Sequence, residues 1–501
     1  MKDHPGTVSR SAFGFLSGTL LSRVSGLARD VSMAFFFGTS ASIAAFLVAL
    51  RFAILLRRIF GEGALLNGFI PHFERERSID PKRGALFFRD VFFSMLVCLV
   101  VLIGAGELML YQWIDSSPII YLIMLILPGV LFVCLFGLCS GLLHCEKYFF
   151  LTGVAPVAYN VIWLSAVWVF RNDLPESVAI GLSLSITLAF FSQWLMTVPK
   201  TASFLFQHLS WRECLKARLF SLEIRKMFSS LSLGVLGVGA AQINTALDTI
   251  FARLSSLEGP AYLNYAIHLQ QLPLALFGIA ISSALLPPLS RAYQAEDKTL
   301  SCTLLNSAIS NAMLFILPCT GGIFALGRVS VNLLFGRGDF TPLSTLHTTE
   351  CLWGYGIGLA PMVLALLFAP AFYAKKDYWT PTLASLCSIA LNLFLNFLFV
   401  CWFHFGSASL AYSTSIAALF NAALLYRHLP FKVSISTWKI GISSFIASAV
   451  AIIFDRVMIQ DSFPRLFADQ LIQFFTLFTI FSGFFILMNR KEIFAVLGKR
   501  T

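Results

Sequence analysis

The sequence predicts an all-α protein that crosses a membrane about fourteen times, and three observations carry the prediction. Of its 501 residues, 57% are apolar or aromatic and only 12% are Asp, Glu, Lys or Arg, about half the charged share of a soluble protein. Apolar runs of about 20 residues, the length a helix needs to cross a hydrocarbon core of about 30 Å, recur almost end to end. The runs lack the period-two alternation of a transmembrane barrel, and 51 phenylalanines suit helices that face lipid. A soluble multidomain protein and a barrel are both excluded.

Charged and Pro/Gly-rich breaks place the spans at 8–37, 42–72, 85–112, 117–144, 150–170, 177–199, 224–254, 260–289, 300–326, 343–373, 378–402, 407–427, 434–454 and 467–489. Lys2 and Arg10 precede the first apolar stretch as in a signal peptide. Arg23, Arg29 and Asp30 interrupt that stretch and no small-residue cleavage site closes it, so a retained first span is expected. Basic residues collect on alternate connections, among them Lys82, Arg83, Lys200, Arg212, Lys216, Arg218, Lys375 and Lys376. The opposite set holds only Arg171, Arg253, Arg328, Arg337, Arg456 and Arg465. The positive-inside rule then puts both termini in the cytoplasm. The net charge of +11 is accounted for by this topology and by anionic lipid headgroups, without nucleic acid as a partner.

The connection 200–223 mixes Phe204, Phe206, Leu209, Trp211 and Leu215 with Arg212, Lys216 and Arg218. It reads as a helix lying on the membrane surface or as a partner-binding segment, and it separates six spans from eight. Ile70-Pro71-His72-Phe73-Glu74-Arg75, ending span two, is echoed by Leu286-Pro287-Pro288-Leu289-Ser290-Arg291, ending span eight. An echo six spans apart predicts a parallel repeat of two six-helix lobes, over 1–199 and 224–427, followed by two further helices and a tail over 428–501. Segment 328–341 alternates Val329, Val331, Leu333, Leu334 and Phe335 with polar residues and is expected to form a short amphipathic helix at the outer interface. Its Arg337-Gly338-Asp339 also matches an adhesion tripeptide that recurs by chance. The ten cysteines are scattered singly through apolar runs, so neither a metal site nor a disulfide framework is expected.

The anomaly is the charge inside the first two spans: Arg23, Arg29, Asp30, Arg51, Arg57, Arg58 and Glu62. An arginine at mid-bilayer costs about 2.5–3.5 kcal/mol and the cluster on the order of 10 kcal/mol, unless it meets water, a counter-charge or a ligand. Residues seven apart nearly superimpose on a helix, so Ser22 aligns with Arg29 and Arg23 with Asp30, with Gly26 between them to permit close approach. On span two, Arg51 and Arg58 share a face, and Gly61 and Gly63 loosen the helix around Glu62. Two readings compete. Internal pairing of Arg23 or Arg29 with Asp30, and of Arg57 or Arg58 with Glu62, answers some of the charge. The remainder suits a bulky anion in a water-filled cavity, because guanidinium forks grip phosphate oxygens bidentately and stay charged. In the later spans, Asp248 is a candidate cation or proton site or is satisfied by Asn244, Thr245, Asn264 and Tyr265. His268, His347 and Glu350 are the other polar exceptions. The sequence holds no phosphate-cradling Gly-x-x-x-x-Gly-Lys-Ser/Thr loop, no zinc spacing and no carboxylate dyad, so transport remains rather than catalysis.

Ser22-Arg23-Val24-Ser25-Gly26-Leu27-Ala28-Arg29-Asp30, Leu56-Arg57-Arg58-Ile59-Phe60-Gly61-Glu62-Gly63-Ala64 and Phe69-Ile70-Pro71 resemble the N-terminal signature of the MurJ/MviN family of lipid II flippases. Leu334-Phe335-Gly336-Arg337-Gly338-Asp339-Phe340-Thr341 and Ala369-Pro370-Ala371-Phe372-Tyr373-Ala374-Lys375-Lys376-Asp377 extend the similarity through most of the chain. The resemblance implies the fold of the multidrug/oligosaccharidyl-lipid/polysaccharide exporters, with two lobes around a central cavity and two C-terminal helices forming a groove for a polyprenyl tail. It implies that the substrate is lipid II, the undecaprenyl pyrophosphate-linked precursor of peptidoglycan, flipped outward across the bacterial inner membrane for cell-wall synthesis. It puts the family's cavity arginines on Arg23, Arg29 and Arg57, with Ser22, Asp30, Glu62 and Arg58 as associated residues. The driving force it implies is a membrane potential or a monovalent-ion gradient, with Asp248 the candidate for coupling. Ala44 departs from an Asp common in relatives. Ile267-His268 departs from Asp-Arg, which leaves His268 as a weaker anion contact. A cation-coupled multidrug antiporter, another lipid-linked oligosaccharide exporter and a non-transporting scaffold are the alternatives.

Overall fold

The computed structural model describes residues 5–61, 64–219, 221–430, 433, 438–458, 463–464 and 466–497. Every regular element among them is helical. Eleven helical stretches are long and apolar enough to cross a membrane. The other three expected spans are helices too: α1 (Pro5–Phe37), α2 (Ala41–Phe60) and α10 (Leu222–Ser255). The arginines that lower the apolarity of α1 and α2 are the ones the sequence singled out. By internal contacts the chain divides into Met1–Ala246 and Leu247–Thr501.

In the first unit, α2 is followed by α3 (Ala64–Ile79), α4 (Pro81–Tyr111), α5 (Pro118–Cys145), α6 (Phe149–Val169), α7 (Pro175–Leu195), α8 (Val198–His208) and α9 (Trp211–Leu215). Start signals are explicit in the sequence. Asp80 caps Lys82 N at 3.0 Å ahead of Pro81, and Ser117 caps Ile119 N at 3.3 Å ahead of Pro118, where proline's missing N–H costs nothing. Helix α5 is the core of the unit, with residues 133–143 all buried and with α2, α4 and α7 packed around it, while α6 lies against α1 and α7. Span two, expected as one helix over 42–72, is interrupted at Gly61, and α3 resumes at Ala64. Its physical reason lies on α5. A side chain at Gly137 would run into the Gly61 carbonyl, and one at Gly61 would meet Cys134 Cα at 3.0 Å. Two glycines therefore bring the end of α2 onto α5 at backbone distance. At the α1–α6 contact the required glycine is Gly18, whose added Cβ would stand 2.9 Å from Gly153 C. At Gly26 the same carbon would sit 3.6 Å from Asn160 Nδ2, an ordinary contact, so the close approach expected there lies about two turns earlier on the same α1–α6 contact.

The 200–223 connection folds into α8 and α9. Phe204 and Leu209 are buried, while Phe206, Trp211 and Leu215 are exposed, the two-faced pattern of an interfacial segment. It is tied to α4. Arg89 donates to Asp90 Oδ1 at 2.5 and 2.9 Å and to the Glu213 carbonyl at 2.5 Å, Asp90 accepts from Arg218 N at 2.9 Å, and Lys82 Nζ stands 2.6 Å from Glu213. Ser210 and Glu213 close a capping box on α9.

The second unit contains α11 (Gly259–Pro273), a π-helical segment (Leu274–Ile279), α12 (Ala280–Gln294), α13 (Lys298–Phe335), α14 (Pro342–Ala374), α15 (Trp379–Phe397), α16 (Ala408–Arg427), α17 (Trp438–Met458) and α18 (Phe467–Leu497). Helix α14 is its core and packs on α11, α12, α13 and α16. Gly354 and Gly358 let α16 approach, with Ser415 Oγ donating to the Gly354 carbonyl at 2.6 Å. The separate interfacial helix expected over 328–341 does not exist: α13 runs unbroken to Phe335 and its last turns are buried at Val329, Val331, Asn332 and Phe335. The polar residues that suggested an interface instead face α17 and α18. Arg328 pairs with Asp455, Asn332 Nδ2 donates to the Pro464 carbonyl at 3.0 Å, and Gln473 Nε2 reaches Asp455 at 3.3 Å. Further along, Ser444 and Ser448 donate to the carbonyls of Leu317 and Gly321, both at 2.9 Å. Such hydroxyl bonds join helices where lipid supplies no hydrophobic drive.

Candidate functional site

A cavity of about 510 Å³ opens within the first unit. Five helices give it its chemistry, with Gln193 coming from α7. Helix α1 contributes Thr19 and Ser22, α2 contributes Arg57, α5 contributes Ser140, and α6 contributes Tyr159 and Asn160. Arg57 reaches the cavity one turn before the Gly61 break, so the Gly61–Gly137 contact that ends α2 also fixes where its guanidinium emerges.

Asn160 organises the α1 side. Its Oδ1 accepts from Arg29 Nη1 at 2.9 Å, and its Nδ2 donates to the Ser22 carbonyl at 3.0 Å and to Ser25 Oγ at 2.9 Å. Arg29 also donates Nε and Nη2 to Asp30 Oδ1 at 2.9 and 2.7 Å, and its guanidinium lies 4.1 Å from the Trp163 ring centroid. A half-buried cation is thus held on three sides, by a carboxylate, an amide and an indole face. Asp30 answers much of the Arg29 charge, so the pairing reading holds for this residue, and Arg57 is the guanidinium that lines the cavity.

The structure separates the residues that the sequence nominated. Ser22 and Arg57 share the cavity wall, and Arg29 and Asp30 adjoin it through Asn160. Arg23 and Arg58 are exposed. Glu62 lies outside the described residues. His268, half-buried on α11, and Asp248, on the α10 segment of the second unit, belong to that unit. Asp248 Oδ1 accepts from Asn396 Nδ2 at 2.5 Å. Asn396 also bonds Asn392 Oδ1 at 3.1 Å and accepts from Ser413 Oγ, which makes a polar network at bilayer depth. His347 Nδ1 meets Glu350 Oε2 at 3.1 Å beside a second cavity of about 480 Å³. Sequence reasoning missed Asn160, Trp163, Ser140 and Gln193. Neutral polar and aromatic residues within apolar runs carry no signal like that of a misplaced charge.

The fold is that of a polytopic, all-helical membrane protein with a cavity lined by helices of its first unit. A solved structure described as "Lipid II flippase MurJ, inward closed conformation" superposes with a TM-score of 0.77 at 22% identity, covering 96% of this chain and 99% of that one. An inward-facing MATE-family transporter of the MOP superfamily superposes with a TM-score of 0.64 at 14% identity, over 89% and 99% of the two chains. These likenesses concern the fold. In sequence, residues 33–482 match the family described as Lipid II flippase MurJ. The Chlamydia pneumoniae protein named probable lipid II flippase MurJ is 34% identical over 427 residues, 83% of this chain and 76% of the relative. The Burkholderia cenocepacia lipid II flippase MurJ is 28% identical over 425 residues, 81% of each. The chain belongs to the MurJ lipid II flippase family, whose members are transporters and not enzymes.

Proposed function

We propose that this chain moves lipid II from the cytoplasmic to the outer leaflet of the bacterial inner membrane by alternating access, with both termini cytoplasmic. The observation that carries the reading is a guanidinium, Arg57, on the wall of a cavity that also presents hydroxyl and amide groups between apolar helices. A diphosphate is the part of lipid II that needs such a group. It accepts bidentate, charge-assisted bonds, and it cannot cross a hydrocarbon core without replacing its hydration. In this reading Arg57 and Ser22 make the first contacts, and Arg29, pre-oriented by Asn160 and Asp30, adds field without long side-chain rearrangement. Arg23, Arg58, Glu62 and His268 are secondary contacts as the substrate moves. Asp248, bonded to Asn396, is the coupling site for a proton or monovalent cation. The basic connections at Lys82, Arg83, Lys200 and Arg212 support the orientation. A cationic drug would meet like charge at Arg57, which weighs against the antiporter alternative.

The test is rescue. The chain is expressed in a bacterium depleted of its own lipid II flippase, and lipid II exposed on the outer leaflet is measured. Growth with restored exposure is expected. Accumulation of inner-leaflet precursor despite correct insertion would refute the proposal.

A further inference from the structure

We infer that the cavity of the first unit has a second, uncharged subsite, formed by Ser140 and Gln193, that binds the acetamido and hydroxyl groups of the sugar next to the diphosphate. The inference rests on the proposed function, since it needs Arg57 to hold the diphosphate.

The cavity is chemically polarised. Helix α6 lines it from Thr152 to Asn160, eight residues or about 12 Å of helix. At the Asn160 end stand the Arg29–Asp30 pair and Ser22. At the other end the helices finish: α5 at Cys145, α7 at Leu195, and α6 begins at Phe149. Ser140, Gln193 and Thr152 all lie within about 8 Å of those termini along their axes. They therefore gather at one end of the cavity, where its lining carries hydroxyl, imidazole and carboxamide groups and, among the described residues, no carboxylate or guanidinium.

Two of these groups are placed for a ligand. Ser140 is 7% exposed, and its Oγ has no hydrogen-bond partner among the described residues. A buried hydroxyl left unpaired is destabilising, a cost that a ligand removes by bonding it. Gln193 is 3% exposed and lines the same space. Thr152, by contrast, is already engaged: its Oγ1 donates to the Phe149 carbonyl at 2.9 Å and lies 2.9 Å from His144 Nε2. Each of the two open groups both donates and accepts, as sugar hydroxyls and acetamides do, and Phe136 and Pro156 supply an apolar wall beside them. Among the described residues, the lining at this end offers an anion no guanidinium and a cation no carboxylate, and Arg77, beside the end of α5, is engaged by Glu74, Glu146 and the Cys145 carbonyl. The occupant is neutral and rich in hydrogen bonds, covalently next to an anion held by Arg57.

The experiment compares two lipids on the purified full-length protein: undecaprenyl pyrophosphate, which lacks sugar, and lipid II. Gln193→Leu and Ser140→Ala are expected to weaken lipid II binding at least tenfold and fivefold, respectively, while undecaprenyl pyrophosphate binding stays within twofold. Ser140→Ala removes one oxygen and leaves the fold intact, so its result stands if Gln193→Leu does not fold. Arg57→Ala is expected to weaken both lipids. If the Ser140 and Gln193 variants weaken both lipids alike, or neither, the sugar subsite is overturned. If Arg57→Ala leaves both lipids bound while the sugar-selective loss persists, the subsite stands and the diphosphate assignment fails.

Discussion

Replacing Asn160 by Leu tests whether the α1–α6 clamp sets the position of Arg29. The substitution keeps the number and branching of side-chain heavy atoms and removes three hydrogen bonds: one from the Arg29 guanidinium at 2.9 Å, and two donated to Ser22 and Ser25 at 3.0 and 2.9 Å. A bond to a charged group contributes about 1.5–3 kcal/mol in soluble proteins, whereas interhelical bonds within membranes average about 0.6 kcal/mol. The Asp30 pair and the Trp163 contact remain, and Leu buries more apolar surface, so the net loss is about 2 kcal/mol. Thermal unfolding in detergent should show a lower midpoint than wild type, and lipid II transport in cells should fall further than stability alone explains. Asn160→Asp should discriminate between the two effects. It supplies Arg29 with a second carboxylate, and its negative charge at the cavity should cut diphosphate binding more strongly than it cuts stability. Wild-type stability and transport for Asn160→Leu would refute the clamp.

Other consequences arise from particular contacts. Gly137→Ala drives a methyl into the Gly61 carbonyl and should destabilise by about 1–3 kcal/mol, read as a lower unfolding midpoint, with transport impaired because the end of α2 carries Arg57. Asp455→Asn removes the partner of Arg328 at a half-buried pair and should cost about 2 kcal/mol. The loss should appear as faster proteolysis of the α17–α18 segment. Lys82 and Ser210 hold the exposed Glu213 carboxyl down at about 2. A carboxyl lowered in this way contributes above its ordinary range and loses that contribution only as pH falls toward 2. Hydrogen-exchange protection of α9 should therefore be constant from pH 7 to pH 5, once intrinsic rates are corrected, and should drop in Glu213→Gln at neutral pH.

Much of the fold is legible in the sequence because lipid imposes one rule: a spanning segment must be a long apolar helix that satisfies its own backbone. Eleven helical stretches among the described residues obey it, and α1, α2 and α10 are long helices that fall short of it in apolarity. What that rule does not reach is tertiary. The break at Gly61 depends on Gly137, 76 residues away on another helix. The 328–341 segment looked interfacial because Arg328 and Asn332 are polar, whereas their partners lie on α17 and in the chain before α18. The site shows the same division. Arg29 and Arg57 stand out because a charge at bilayer depth is costly, but that Asp30 and Asn160 hold Arg29 while Arg57 lines the cavity is decided by which helices meet.

The central claim is that the Arg57 guanidinium engages the diphosphate of the flipped lipid, and outer-leaflet lipid II in flippase-depleted cells expressing wild type, Arg57→Lys or Arg57→Ala measures it most directly. With equal membrane insertion of all three, wild type should restore exposure, the lysine variant should do so partially because it keeps the charge and loses the fork, and the alanine variant should remain at background. Full exposure by Arg57→Ala would contradict the account.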